Sequence, residues 1–540
     1  MKEIKYMMIG VVLTAMLATG CKKDFFNRPP EDAITAASYY KTAAEVQAST
    51  NALYAAPWFG WNTKVGWSIS ELASGNGRTY SSDVSAFGSF GVSNGNFELS
   101  AAWNSLFTVV AQANGILVNL PANVPSSVPA SVVNNALGEA HLMRGLAYFY
   151  LVRVFGNVPI ITNPLDEVDS FQTINTNPVT DIYKFIVNDF LFAEANCSPG
   201  PAKITGHASS GSASALLSKV YLYEQDYANA RTEAEKVINS GEFGLFGIDV
   251  PGVGFNDLFR IANNNNAESI LALQWLANGG YGYGNAVQAS FAFSSAITQT
   301  GDGYGVLAPT FDLQDAYAAE GDTIRRHATI MLDGEYYPEL DQAQGGYTLP
   351  LNASSQGTNA QIKKYVVGSP ADNNGKSAAQ STGMNTYLMR LSDVYLIEAE
   401  AILGAGAGAT PGAPGLDTTA ATTDPTALKY FNLVRQRAGL NALPSITFRD
   451  IIKERRLEFA IEGDYWFDLC RLDGFNNTHH PKAISIISKQ DRGTGTNTPP
   501  VVRYGNGYIT PTDADFLFPY PATEVAADPN LTAAPVPYHF

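Results

Sequence analysis

The sequence predicts a mainly α protein: a helical-repeat scaffold with long irregular insertions that form a ligand-binding face. Three observations predict it. Apolar residues recur at helical spacing in several stretches, and most of these fall into consecutive short pairs. Between them lie long stretches without a period, dense in Gly, Ser, Asn and aromatic residues, and loops of that length in a compact protein are usually functional. The 540-residue chain is 45% hydrophobic but only 16% charged, against about 25% charged in average soluble domains. It therefore has material for a large core and takes its polar share from Ser, Thr, Asn and Gly. With 34 basic and 50 acidic side chains the net charge is -16, which argues against a nucleic-acid partner.

At the N-terminus Lys2 and Lys5 precede an uncharged run from Tyr6 to Gly20, which stops at Cys21, Lys22, Lys23 and Asp24. A membrane span needs about 20 apolar residues, whereas a positive start, a short apolar run and small residues describe a secretory signal. Leu17, Ala18, Thr19, Gly20 and Cys21 resemble a bacterial lipobox, cut before Cys21 so that its thiol carries the lipid. The expectation is a signal peptide over 1–20, a lipid anchor and tether over 21–34, and one folded domain over 35–540 with no membrane span. Of the three cysteines, Cys197 and Cys470 could pair in an exported protein or stay as buried thiols, and the buried-thiol reading is preferred. Three cysteines exclude a disulfide scaffold or a four-thiolate metal site.

From Gly138 to Phe155, Met143, Leu146, Ala147, Tyr150, Leu151 and Val154 share one helical face, ended by Gly156 and Pro159. Ser212–Glu224 and Ala228–Ser240 form a pair around a turn at Gln225 and Asp226, with small alanines where the helices cross. Short antiparallel helices of this kind look like a tetratricopeptide unit. Tyr387–Leu403 and Thr426–Ala438 make a further pair, separated by the Gly/Ala/Thr/Pro loop Gly404–Pro425, and Phe448–Glu462 is one more helix. The insertions are placed near 56–98, 243–386 and 404–425.

Several segments, in order, are similar to the SusD/RagB-like outer-membrane lipoproteins. They are the lipobox with its Asp24, Phe25, Phe26 start; Gly138 to Pro159 (GEAHLMRGLAYFYLVRVFGNVP); Gly211 to Glu224; Arg390 to Glu400 (RLSDVYLIEAE); Phe431 to Leu440 (FNLVRQRAGL); and Ile451 to Arg471 (IIKERRLEFAIEGDYWFDLCR). Asp464 and Tyr465 depart from the usual basic pair, and the tail after Phe518, Pro519, Tyr520 and Pro521 lacks the family's Gln-Asn-Pro-Gly-Tyr ending. The resemblance implies a tetratricopeptide-like scaffold, an outer-membrane position facing the cell exterior, and a SusC-like TonB-dependent transporter as partner. It also implies a glycan-capturing surface on the irregular segments.

No catalytic constellation is expected. Glu454, Arg455, Arg456, Glu458 and Glu462 lie at helical spacing, so Arg455 and Glu458 would meet at i, i+3 and, with Trp466, Phe467 and Asp468, lock the last repeat. The six histidines, adjacent His479 and His480 included, show no metal-binding spacing. Asp166, Glu167 and Asp169 lack the alternation of a calcium loop. No cofactor is expected.

The aromatic residues carry the site prediction. Trp58, Trp61 and Trp67 fall within ten residues of a Gly/Asn-rich stretch, followed by Asn76, Arg78, Tyr80 and Asp83; Trp275, Tyr281 and Tyr283 form a second set. Sugar rings need aromatic faces for their C–H surfaces and polar side chains for their hydroxyls, and both segments offer these, whereas Trp103 and Trp466 lie in helical patterns and read as structural. The predicted function is capture of an oligosaccharide or polysaccharide for a channel on which the protein sits as a lid. The alternatives are peptide capture in the same system, or a surface glycosidase, which would need two facing carboxylates that nothing here singles out.

Overall fold

The computed structural model describes residues 38–163, 173–200, 203–353, 356–493, 503 and 508–540. The signal, Cys21, the tether and the Asp166, Glu167, Asp169 cluster lie outside the described residues. The chain builds a mainly α scaffold from α1 (Ala43–Ser49), α2 (Phe97–Asn123), α3 (Ala130–Phe155), α4 (Val179–Asn196), α5 (Ser210–Tyr223) and α6 (Tyr227–Ser240). It continues, after a long excursion holding α7 (Phe311–Glu320) and α8 (Thr323–Thr329), with α9 (Leu391–Gly406), α10 (Pro425–Arg437), α11 (Phe448–Phe459) and α12 (Tyr465–Cys470). Neighbours in sequence pack in order: α2 on α3, α3 on α4, α4 on α5, α5 on α6, then α6 on α9 and α9 on α10.

Local chemistry sets the boundaries. Asn96 caps α2 through the Leu99 N–H, and Ser209 with Ser212 forms a capping box on α5. Asp226 caps α6, Asp424 and Pro425 start α10, and Thr447 with Asp450 boxes α11. The α5–α6 pair buries Ala213, Leu216, Leu217, Val220, Ala230, Ala234 and Val237. By length and composition α2 could cross a membrane, but its Leu106, Val109, Val110 and Ala113 are spent in the core it shares with α3.

Two expectations are corrected. Tyr387 and Leu388 belong to a strand, β2 (Thr386–Arg390), antiparallel to β1 (Ser269–Leu273), and the helix begins only at Leu391. Tyr387 and Met389 alternate inward with period two, while the leucines at 388 and 391 mimic helical spacing. The stretch near 56–98 is not irregular throughout: Trp61–Val65 and Ser68–Ala73 wind as widened π-helical turns whose residues are nearly all buried.

The charged cluster on α11 is structural, but with other partners than i, i+3 pairing suggests. Arg455 binds Asp393 at 2.5 Å and Asp468 at 2.8 Å, while Glu458 receives Arg390 at 2.8 Å, Arg325 at 3.2 Å and Arg437. Asp464, one of the departures from the family pattern, meets Lys219 of α5 at 2.7 Å. These pairs join α5, α8, β2, α9, α10, α11 and α12. Cys197 and Cys470 are free thiols, the first buried and the second half-buried.

Candidate ligand-binding site

The β1–β2 ribbon carries the aromatic residues of the second set. Trp275 stands two residues beyond the end of β1, and its indole N–H donates to Thr386 Oγ1 at 3.0 Å, at the start of β2. Thr386 Oγ1 in turn donates to Asn62 Oδ1 at 2.9 Å and accepts from Asn285 at 3.2 Å. Asn62 bonds Asn285 at 3.2 Å. This small polar cluster fixes the π-helical segment to the ribbon behind the aromatic surface.

Beyond Trp275 the chain makes a glycine-rich turn. The Leu276 N–H donates to the Tyr283 carbonyl at 3.0 Å, and Gly280 N–H and Asn278 Nδ2 donate to Ser381 Oγ at 3.0 Å and the Gly375 carbonyl at 2.5 Å. A side chain at Gly284 would put its Cβ 2.0 Å from Ser381 Oγ, so only glycine permits this close approach. Thus pinned, the turn presents Tyr281, Tyr283 and Leu276 with 64%, 59% and 63% of their surface exposed. Monomeric proteins seldom leave such a group of large side chains uncovered without use.

The first set meets this surface only in part. Phe59, half-buried, stands edge-on to Tyr281 at 4.7 Å and to Trp275 at 6.2 Å. Lys64 pairs with Asp83 and approaches Glu98 at 3.7 Å, and Ser81 also donates to Asp83. Partial burial would push the Lys64 ammonium down, but Asp83, with help from Glu98 and the Tyr281 phenol, leaves it above the ordinary lysine value. Burial likewise opposes ionisation of Asp83, yet the Lys64 and Ser81 hydrogen bonds hold it below the ordinary range. The result is an aromatic surface of Tyr281 and Tyr283 with the half-buried Phe59, beside a charged pair; Trp275, expected as a site residue, is buried beneath it with its indole N–H on Thr386.

The tryptophans expected to bind a ligand, Trp58, Trp61 and Trp67, are placed in the core instead. Trp58 is completely buried, its indole N–H on the Leu53 carbonyl at 2.8 Å. Trp61 packs on Tyr150 at 4.7 Å, and Trp67 donates to the Thr63 carbonyl at 2.9 Å. Trp61 and Trp67 border an internal void of about 60 Å³, far below the roughly 300 Å³ at which small-molecule sites begin. Asn76 and Arg78 are buried as well: Asn76 accepts from Arg456 at 2.8 Å and Arg78 donates to the Arg492 carbonyl at 3.0 Å and to Tyr80 at 2.6 Å. A tryptophan in a glycine-rich segment is as well explained by an insertion needing its own core, and the residues actually placed at the surface, Phe59 and Lys64, carry no motif. Among the described residues no three His, Cys, Asp or Glu side chains gather as a metal site requires.

The SusD family model matches residues 267–538, and a second model, described as "Starch-binding associating with outer membrane", matches residues 68–222. A SusD-like protein of Bacteroides ovatus is 32% identical, the match covering 99% of each chain. A structure solved with xylogluco-oligosaccharide superposes with a TM-score of 0.78 at 32% identity, covering 92% of this chain and 99% of the other. A laminarin-binding SusD-like protein superposes with a TM-score of 0.67 at 25% identity, covering 91% and 98%.

Proposed function

The chain belongs to the SusD family, and from that premise we propose that it captures an oligosaccharide or polysaccharide on the Tyr281–Tyr283 platform and does no covalent chemistry. The observation that carries this reading is the pair of exposed tyrosines on a turn bonded to Ser381 and Gly375, with Tyr281 edge-on to the half-buried Phe59. Their faces suit the apolar faces of sugar rings, and Lys64, Asp83 and Asn278 stand nearby for hydroxyls. Relatives solved with xylogluco-oligosaccharide or described as binding laminarin support a neutral glycan as cargo. Cys21 would carry the lipid that holds the protein at the outer membrane, facing outward; the match to a family that associates with the outer membrane supports the membrane position. From there it would hand its cargo to a SusC-like TonB-dependent transporter.

The test is calorimetry of the protein, produced without its first twenty-one residues, against a panel of neutral polysaccharides and a peptide mixture. Each stacked ring contributes about 1 kcal/mol, so the double variant Y281A/Y283A is expected to lose tenfold or more of its glycan affinity at unchanged stability. Trp58→Phe is expected to lower stability and leave affinity intact. Retention of peptides but no glycan would transfer the reading to peptide capture. Full glycan affinity in the double variant would remove the platform. For the partnership, mild-detergent extraction should co-purify a large barrel protein.

A further inference from the structure

Away from the platform, a second cavity of about 350 Å³ opens between α3, α4, α12 and the segments 474–480 and 513–517. Its size falls within the range of small-molecule sites, and Tyr183, Tyr223, Phe467, Phe475 and Phe516 give it aromatic walls. Two polar side chains at this cavity are more than nine-tenths buried: Arg153, whose hydrogen-bond partners are all neutral, and His480, which keeps one ring nitrogen unpartnered among the described residues. Arg153 lies 3.8 Å from the Phe149 ring and 4.2 Å from the Phe467 ring. It donates to the Phe149 carbonyl at 2.8 Å and to the Tyr223 hydroxyl at 3.3 Å, with the Tyr150 hydroxyl alongside. All of these are neutral oxygens, and among the described residues no carboxylate forms an ion pair with it. The buried guanidiniums of Arg325, Arg390, Arg455 and Arg471, by contrast, each meet two or more carboxylates. His480 stacks on Phe516 at 4.0 Å with the Cys470 carbonyl beside its ring, and its buried Nδ1 has no hydrogen bond of normal geometry among the described residues.

A desolvated guanidinium with no carboxylate in contact, Asp464 acting on it only from a distance, is costly, and its planar fork matches a carboxylate. We propose that this cavity binds a small carboxylate carried on a six-membered ring, with the carboxylate on Arg153, the ring between the aromatic walls, and a polar group of the ligand at His480. Arg471 also lines the cavity but is occupied by Glu400 and Asp468. Asp513, the carboxylate lining it, is engaged by the His480 N–H at 2.8 Å and by His479 at 3.0 Å, which leaves Arg153 as the anion's partner. An acidic sugar and an aromatic acid both supply this chemistry.

Titration calorimetry with glucuronate, benzoate and glucose as probes separates them. The expected result is saturable binding of glucuronate or of benzoate, whichever it is naming the source, with glucose at least tenfold weaker. Arg153→Met is expected to weaken carboxylate binding tenfold or more. Because that variant could disturb the helix packing, Ala514→Trp provides an independent check: residue 514 is exposed at the cavity lining, so an indole there plugs the cavity without touching the core and should abolish binding. Y281A/Y283A should leave carboxylate binding unchanged, so this proposal and that of the glycan platform fail separately. Absence of binding to either acid at 20 mM, equal binding of glucose, or full affinity in Ala514→Trp would overturn it.

Discussion

Glu398, on α9, is a carboxylate placed where ionisation is penalised. Its side chain is fully buried, neither oxygen has a hydrogen-bond partner among the described residues, and Arg231 stands 3.5 Å away, itself mostly turned to Glu235. Burial first, and then the charge of Glu235, raises its pKa from 4.5 to about 7. A carboxylate raised in the folded state gives stability that is complete below its unfolded pKa and is lost as pH rises through the folded one. At this site that loss is on the order of 2–3 kcal/mol between pH 4.5 and 8. Glu398→Gln removes the titration, so its stability relative to the parent should improve by about that amount from pH 4.5 to pH 8, as read by urea unfolding at the two values. Comparing the two pH values cancels any packing cost of the amide. An unchanged difference would show that Glu398 ionises freely in the fold.

At the scale of elements, the π-helical segment explains both what could be read from the sequence and what could not. Gly66 closes a wide turn by donating its N–H to the Trp61 carbonyl. A Cβ there would lie 3.0 Å from both that oxygen and the Trp61 indole nitrogen. Gly66→Ala is therefore expected to cost about 1–3 kcal/mol through overpacking. Gly115→Ala, inside α2 with nothing within 4 Å of the new methyl, should instead gain about 0.4–1 kcal/mol. Denaturant unfolding of both variants gives the signs. The sequence could not show the buried role of Gly66, because glycine next to tryptophan reads equally as a loop that displays its ring. The scaffold was more legible: Ala230, Ala234 and Val237 on α6 keep a strict helical period because one face meets a neighbour, while on α3 the stretch from Met143 to Val154 is buried nearly all round between its neighbours and reads as helix by its length. Tyr281 and Tyr283 were legible as candidates from composition, since glycines crowd a turn that cannot bury them. Phe59 and Asn62 were not, because their roles depend on contacts with residues more than two hundred positions away in the chain, and Lys64 was not, because its pairing with Asp83 follows no sequence spacing.

At the scale of the whole molecule, the ionic network ties the helical scaffold to the proposed binding face. Arg390 ends β2 and bonds Glu268, the residue before β1, at 2.5 Å, along with Glu458 at 2.8 Å and Glu462 at 2.7 Å. At the other end of the same five-residue ribbon stand Thr386 and Trp275. Burial alone would keep Glu458 protonated, but Arg437, Arg390 and Arg325 hold its pKa far below the ordinary carboxylate range. Asp393 is depressed in the same way, burial being outweighed by Arg455 and Lys219. Depressed carboxylates contribute stability that is present above about pH 4.5 and lost as pH falls toward their folded values. Removing one partner of such a cluster leaves uncompensated buried charge, which costs about 3–5 kcal/mol. Glu458→Gln should accordingly lower stability at pH 7 by that order and flatten the loss of stability between pH 4.5 and 3, both read from urea unfolding across pH. Because the ribbon is clamped at the Arg390 end and carries the platform at the other, the variant should also bind glycan more weakly at pH 7 and well below its melting temperature. Unchanged affinity in a destabilised but folded variant would show that the turn at Tyr281 is held by its own bonds to Ser381 and Gly375 alone.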